Sequence, residues 1–132
     1  TPHPGEWQRW CQVSAKDRPA QIETAVATAK RFGWTIVLKG YRSVITDGER
    51  VEINQTGNAK MAVGGSGDCL TGIIAALTGQ GLSPFDAARL GTHVHGQAGD
   101  LAATRLGSPS VLATDLIDAL TDPQLWRPTS SA

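Results

Sequence analysis

Gly64, Gly65, Gly67 and Asp68 stand where a loop runs into an apolar-periodic segment, Leu70, Ile73, Ile74 and Leu77. Residues without a Cβ let backbone N–H groups turn inward and approach a ligand closely. A helix beginning near Asp68 would add unpaired N–H groups and the positive end of its dipole, which together suit phosphate or another developing anion. A carboxylate beside such a site can act as base on the group that attacks phosphorus. The plainer reading stays open, because Ser66 and Asp68 ahead of an apolar run are also ordinary capping residues.

Other side chains could serve the same chemistry. Lys39-Gly40 follows the run Trp34-Thr35-Ile36-Val37-Leu38, and ligands of open α/β sheets bind at the carboxyl ends of strands. The plainer alternative, an exposed lysine that only closes the strand, stays equally open. Thr1-Pro2-His3-Pro4-Gly5-Glu6 carries two prolines and a glycine in six residues, which predicts a shaped turn and not a helix interior. It sets an imidazole and a carboxylate close together, as simple loops also do. His93 and His95, two residues apart on a predicted helix, point to different sides and are not expected to bind a metal. Gln97, Asp100 and His93 read as surface or inter-helix polar groups.

These residues need elements to hold them. Trp7, Trp10 and Cys11 fall on one side of a short helix over residues 6–12. Asp17-Arg18-Pro19 reads as a cap and first turn, Ile22, Ala25, Val26, Ala29 and Phe32 as a core stripe, and Gly33 as the stop. The β-branched run to Leu38 suits a strand buried on both faces of a parallel sheet. Residues 43–46 and 51–54 make a hairpin around Asp47-Gly48. Gly79-Gln80-Gly81 ends the next helix. Ser83-Pro84 starts a long one, whose Ala87, Ala88, Gly91, Gly96, Ala98, Gly99 and Ala102 allow close packing on the helix before it. Gly107-Ser108 ends that helix, and a last one from Ala113 carries Leu116, Ile117 and Leu120. Strands and helices in this order make an α/β layered architecture.

The chain has 132 residues, 40% of them hydrophobic, enough for one core. Twelve Lys and Arg balance twelve Asp and Glu without a basic run, so neither nucleic acid nor an anionic membrane is the expected partner. No stretch reaches the roughly eighteen apolar residues of a membrane span. Cys11 and Cys69 lie in no metal or redox pattern, which fits two free thiols in a reducing cytoplasm. Thr1-Pro2-His3-Pro4 is neither a signal peptide nor a natural initiator, so a processed or partial chain is expected.

The wider pattern Asn54-x-Thr56-Gly57-Asn58-x-x-Met61-Ala62-x-Gly64-Gly65-Ser66-Gly67-Asp68, ahead of Gly72-Ile73-Ile74-Ala75-Ala76-Leu77, closely resembles the signature of the ADP/ATP-dependent NAD(P)H-hydrate dehydratases of the ribokinase-like superfamily. Thr1 to Glu6 is similar to that family's mid-domain motif, and Lys39-Gly40-Tyr41-Arg42-Ser43 to its Lys-Gly-x-x-Thr loop, with Ser43 keeping the hydroxyl. The resemblance implies the carboxyl-terminal half of a ribokinase-like fold, helices on a mainly parallel sheet, over residues 1–126, with a frayed tail at 127–132. It implies repair of hydrated NADH or NADPH with ADP or ATP and Mg2+. Asp68 would be the general base and, with His3, contact the substrate. Glu6 would organise the magnesium. Lys39 to Ser43 with Gly65, Ser66 and Gly67 would hold the nucleotide.

The preceding half of the domain would then be a required partner. A sheet cut through its middle exposes an edge and an apolar face, so the chain is expected to be unstable alone or to form a homo-oligomer. Two alternatives share the glycine loop: a small-molecule kinase, and a nucleotide-binding module without catalysis. Residues 54–61 match the dehydratase pattern better than the kinase one.

Overall fold

The computed structural model describes residues 1–107 and 109–127. Among them run helices α1 (Pro4–Cys11) and α2 (Arg18–Phe32), strands β1 (Ile36–Leu38), β2 (Val44–Thr46) and β3 (Val51–Ile53), and helices α3 (Ser66–Gly79), α4 (Pro84–Leu106) and α5 (Ala113–Ala119). The expected tail lies, beyond Arg127, outside the described residues, as does Ser108.

The strands form one sheet in the order β1-β2-β3, with Val37 opposite Ile45 and Ile45 opposite Glu52. Both pairings are antiparallel. Mainly parallel pairing therefore does not hold for these strands, and the reason is the connection. Only residues 39–43 join β1 to β2, and a parallel crossover needs about a dozen residues or more. Burial on both faces does hold for β1 and β2. Successive strand residues point to opposite faces. Ile36, Leu38 and Val44 accordingly pack with Trp7, Ala25 and Ala29 from α1 and α2. Val37 and Ile45 pack with Leu70, Phe85 and Ala88 from α3 and α4. The sheet is thus the middle of three layers, and a further cluster of Ala98, Ala102, Val111, Leu116 and Ala119 joins α4 to α5.

Local signals set most boundaries. Asp17 caps α2 by accepting the Ala20 N–H at 3.1 Å, and Gly33 ends it at φ 67°. Ser83 caps α4, with Pro84 at the first position. The hairpin forms as expected, and Asp47 accepts the N–H groups of Glu49 and Arg50 at 3.0 and 2.8 Å.

Three expectations change. The segment before Glu6 is not a free-standing turn, because α1 starts at Pro4, whose missing N–H costs nothing at a first position. Phe32 is not core: it is half exposed and stacks on Trp34 at 4.9 Å, while Ala25 and Ala29 carry the buried stripe. The small residues of α4 serve two neighbours. A Cβ on Gly91 would lie 2.8 Å from Ile74 of α3, whereas one on Gly96 or Gly99 would run into Thr56 or Met61 of the preceding loop.

Candidate active site

The carboxyl end of β1 and the start of α3 meet through Lys39 and Gly67. A Cβ on Gly67 would lie 2.7 Å from Lys39 Nζ, so the bare glycine is what lets the ammonium rest over the first turn of α3. Among the described residues that ammonium has no ion pair and no hydrogen bond. A cation beside the positive end of a helix is unfavourable by about 0.3–1 kcal/mol. Something negative belongs there, and the described residues do not supply it as a partner.

The start of α3 is itself open. Gly65 holds the cap position at φ 86° and no side chain caps the helix. Ser66 donates its N–H to the Val63 carbonyl at 3.4 Å, but the N–H groups of Gly67 and Asp68 find no acceptor among the described residues. Four helices carry an acid at their third residue. Glu6 of α1 accepts the His3 N–H at 2.6 Å, Asp86 of α4 accepts from the Ser83 hydroxyl at 2.6 Å, and Asp115 of α5 accepts the Leu112 N–H at 2.8 Å. Asp68 of α3 is exposed and does nothing of the kind. Side-chain length is not the cause, since Asp115 reaches. The cap backbone is: His3, Ser83 and Leu112 are extended, as a reciprocal cap requires, and Gly65 is left-handed.

Other elements brace this junction. Arg18, the first residue of α2, donates to the carbonyls of Lys39 at 3.0 Å, Leu38 at 3.1 Å and Arg42 at 3.4 Å. Burial lowers the pKa of its guanidinium below the ordinary arginine value. Beyond that latch, Tyr41 is 88% exposed with the Arg42 guanidinium 5.5 Å from its ring centre, and the Ser43 hydroxyl donates to the Gly40 carbonyl at 3.3 Å. From α4, His95 Nε2 lies 3.0 Å from the Ser66 carbonyl oxygen and 3.4 Å from its hydroxyl. Asp100 accepts the Gly57 N–H at 2.9 Å and the Asn58 amide at 2.7 Å, and Thr56 donates to the His93 carbonyl at 2.8 Å.

The comparisons bear on what this junction is. The family model described as NAD(P)H-hydrate dehydratase matches residues 1–122. The chain belongs to the NAD(P)H-hydrate dehydratase family. It is 50% identical over 123 residues to the bifunctional NAD(P)H-hydrate repair enzyme Nnr of Moorella thermoacetica and 46% identical over 123 residues to that of Escherichia coli. Those alignments cover 91% of this chain and 23% and 24% of the relatives, so the chain spans about a quarter of their length. Among solved structures it is similar to the ADP/ATP-dependent NAD(P)H-hydrate dehydratase of Bacillus subtilis co-crystallised with ATP/Mg2+, with a TM-score of 0.83, 34% identity, and coverage of 95% of this chain and 45% of that one. A ribokinase-like superfamily protein of Enterococcus faecalis matches with a TM-score of 0.74, 34% identity, and coverage of 90% and 40%. The α/β layers described above are thus the ribokinase-like architecture.

For a chain of the dehydratase family, the third motif sits close by. The Pro2 carbonyl accepts the Lys39 N–H at 2.9 Å, which brings His3 and Glu6 to the end of β1. His3 Nδ1 caps α1 by accepting the N–H groups of Gly5 and Glu6, each at 3.1 Å. Glu6 is held below its ordinary pKa of 4.5, chiefly by the His3 N–H, with the charges of His3 and Lys39 adding to it. Its Oε2 is committed to that N–H, while Oε1 stands 3.4 Å from His3 Nε2. One ionised carboxylate with a loosely engaged oxygen fits magnesium, which takes one or two carboxylates and completes its shell with water and phosphate. No group of three or more His, Cys, Asp or Glu among the described residues could hold a metal alone.

Sequence reasoning did not single out Arg18 and His95 as parts of this site. For Arg18 a signal existed, since a cation in the first turn of a helix opposes the dipole and implies a specific acceptor. His95 gave none, because its partner lies 29 residues away on another helix.

Proposed function

We propose that this chain supplies the phosphate-binding junction and the base of an ADP- or ATP-dependent dehydratase that restores NADH and NADPH from their hydrates. One observation carries the reading: an ammonium without a partner among the described residues and an uncapped helix start converge beside the one third-position acid, among the four, that is not spent on its own helix. A nucleotide phosphate would satisfy the first two, and a substrate hydroxyl would occupy the third.

Asp68 then contacts the substrate and takes the proton of its ring hydroxyl as that oxygen attacks the terminal phosphorus of the nucleotide. The P–O bond to the leaving AMP or ADP breaks, and the N–H groups and Lys39 meet the charge on the transferring group. Hydroxide leaves poorly, but the phosphate ester formed in its place leaves well. The ring nitrogen's lone pair expels phosphate, and loss of a proton from the neighbouring carbon restores the reduced ring. His3 is assigned to the dinucleotide. Its half-exposed imidazole keeps Nε2 while Nδ1 holds the helix. Lys39, Gly40, Tyr41, Arg42 and Ser43 are assigned to the nucleotide together with Gly65, Ser66 and Gly67, the Arg18 latch giving the first loop a fixed base. Glu6 would hold Mg2+ with the phosphates, and the ion when bound would offset their charge.

Residues 1–126 are read as the carboxyl-terminal part of one nucleotide-binding domain whose amino-terminal part completes the substrate pocket. The setting proposed is the cytoplasm, and the assembly a homo-oligomer. No described helix is long and apolar enough to cross a membrane. The test incubates the full-length protein with hydrated NADH, magnesium and ADP or ATP, following reduced dinucleotide and phosphate. Equal release of the two supports the dehydratase. A stable phosphoester on another alcohol points to a kinase, and nucleotide binding without product to a non-catalytic module.

A further inference from the structure

We propose that His95 is a positioning residue that aims the Gly67 N–H at the phosphate; the inference rests on the phosphate site proposed above. The geometry is specific. The Ser66 carbonyl can only accept, so at 3.0 Å the His95 Nε2 must carry the hydrogen. That carbonyl belongs to the same peptide unit as the Gly67 N–H. A peptide is planar and trans, so its carbonyl and N–H point in opposite directions, and a donor fixed on the oxygen fixes the direction of the hydrogen. The Gly67 N–H is one of the two at the start of α3 without an acceptor among the described residues, and Lys39 Nζ lies over the same residue.

The peptide needs such a clamp. Gly67 closes it and left-handed Gly65 stands one residue before it, and no side chain caps the helix, so the backbone bonds of α3, beginning with the Cys69 N–H to the Gly65 carbonyl at 3.1 Å, hold the first turn without a side-chain cap. The clamp comes from a rigid place. His95 stands in the middle of α4, between buried Val94 and buried Gly96, and α4 is held on the sheet by Phe85 and Ala88. Contact between α3 and α4 does not depend on the imidazole, because Gly91 against Ile73, Ile74 and Leu77 already supplies it. What the imidazole adds is direction. Its surroundings keep it uncharged in this role: burial first, and the Lys39 charge, lower its pKa against the opposing effect of the Ser66 carbonyl.

The experiment uses the full-length protein with His95→Leu, His95→Asn and His95→Gln. The Gln amide reaches as far as Nε2 and can donate to the Ser66 carbonyl, whereas the Asn amide stops short and Leu has no donor. Turnover of hydrated NADH should fall about tenfold or more in Leu and Asn, below the 10²–10³ for outright loss of an oxyanion donor, and should recover in Gln. The loss should appear in kcat, with KM for the hydrated dinucleotide within about twofold, since a misaimed N–H costs most when charge has developed. Calorimetry with ADP reads the same clamp without the reaction, and binding should weaken in Leu and Asn and not in Gln. Asn keeps the test open should Leu fail to fold. Normal ADP binding in both Leu and Asn, or a Gln variant as impaired as Leu, would overturn the clamp. If the wild type releases no reduced dinucleotide while the ADP pattern still holds, the dehydratase reading falls and the clamp stands.

Discussion

At the start of α1 the His3 imidazole takes two backbone N–H groups and Glu6 returns its carboxylate to the His3 N–H, so the backbone N–H groups of His3, Gly5 and Glu6 all have partners within that end. At the start of α3 the cap is a left-handed glycine, a lysine ammonium lies over the first turn, and among the described residues two N–H groups and the third-position acid find no partner. Both ends lie near Lys39, yet one is closed and the other is not. A reciprocal cap contributes about 1 kcal/mol, and a cation beside a helix start subtracts a few tenths. Of the four helices with a third-position acid, α3 alone leaves that acid unengaged while a cation lies over its first turn, as expected where a ligand is to finish the helix. The glycines that prevent capping are also those that allow close approach.

The strongest way to break the comparison is to swap the free acid. Asp68→Asn in the full-length protein keeps size and some hydrogen bonding but cannot take a proton, and turnover of hydrated NADH should fall by about 10²-fold or more. ADP binding should persist. Were Asp68 a helix-terminal acid like Glu6 or Asp115, turnover would stay near normal, and that result would remove it from the mechanism.

The next effect concerns the loop that delivers the open end. A Cβ on Gly96 would meet the Thr56 hydroxyl and lie 2.6 Å from its carbonyl carbon. Alanine in a helix interior gains about 1 kcal/mol over glycine, but overpacking against backbone costs about 1–3 kcal/mol, so Gly96→Ala should lower the melting temperature. A raised melting temperature would mean that residues 54–61 are not seated on α4 as described.

At the closed end the effects are smaller. His3→Ala should cost about 1 kcal/mol of stability in denaturant unfolding, and His3→Asn, which can still cap, only a fraction of that. Equal losses would show that the imidazole acts other than as a cap. The pH dependence follows from Glu6, whose folded pKa lies below 4.5. Its contribution is present above 4.5 and is lost as pH falls through the lowered folded value. Melting temperatures of the wild type and Glu6→Gln should therefore differ near neutrality and converge in acid. A constant gap would detach the carboxylate from the cap.

The sequence made the open end readable because its signals are local: three glycines, a following apolar period, and a motif of fixed spacing. The same holds for Asp17 and Gly33 around α2, for Ser83-Pro84 at α4, and for the Asp47-Gly48 hairpin. What was not legible depends on distance along the chain. The His95 bond to Ser66, the Asp100 grip on Gly57 and Asn58, and the Arg18 latch span from 20 to 43 residues. Pairing direction escaped for a related reason. The apolar run before Lys39 reports burial on two faces, which α helices on either side of an antiparallel sheet provide as well as a parallel one.

Lys39→Ala tests the central claim most directly, with two readings on one full-length variant. The first is stability by denaturant unfolding, the second ADP affinity by calorimetry. If the ammonium is held against the helix dipole for the sake of a phosphate, its removal should leave stability unchanged or raise it by about 0.3–1 kcal/mol. ADP affinity should fall about tenfold or more, the worth of a charge-assisted hydrogen bond. The two readings should part in opposite directions. A joint fall in stability and affinity would make Lys39 a structural residue, and unchanged ADP affinity would contradict the phosphate site itself.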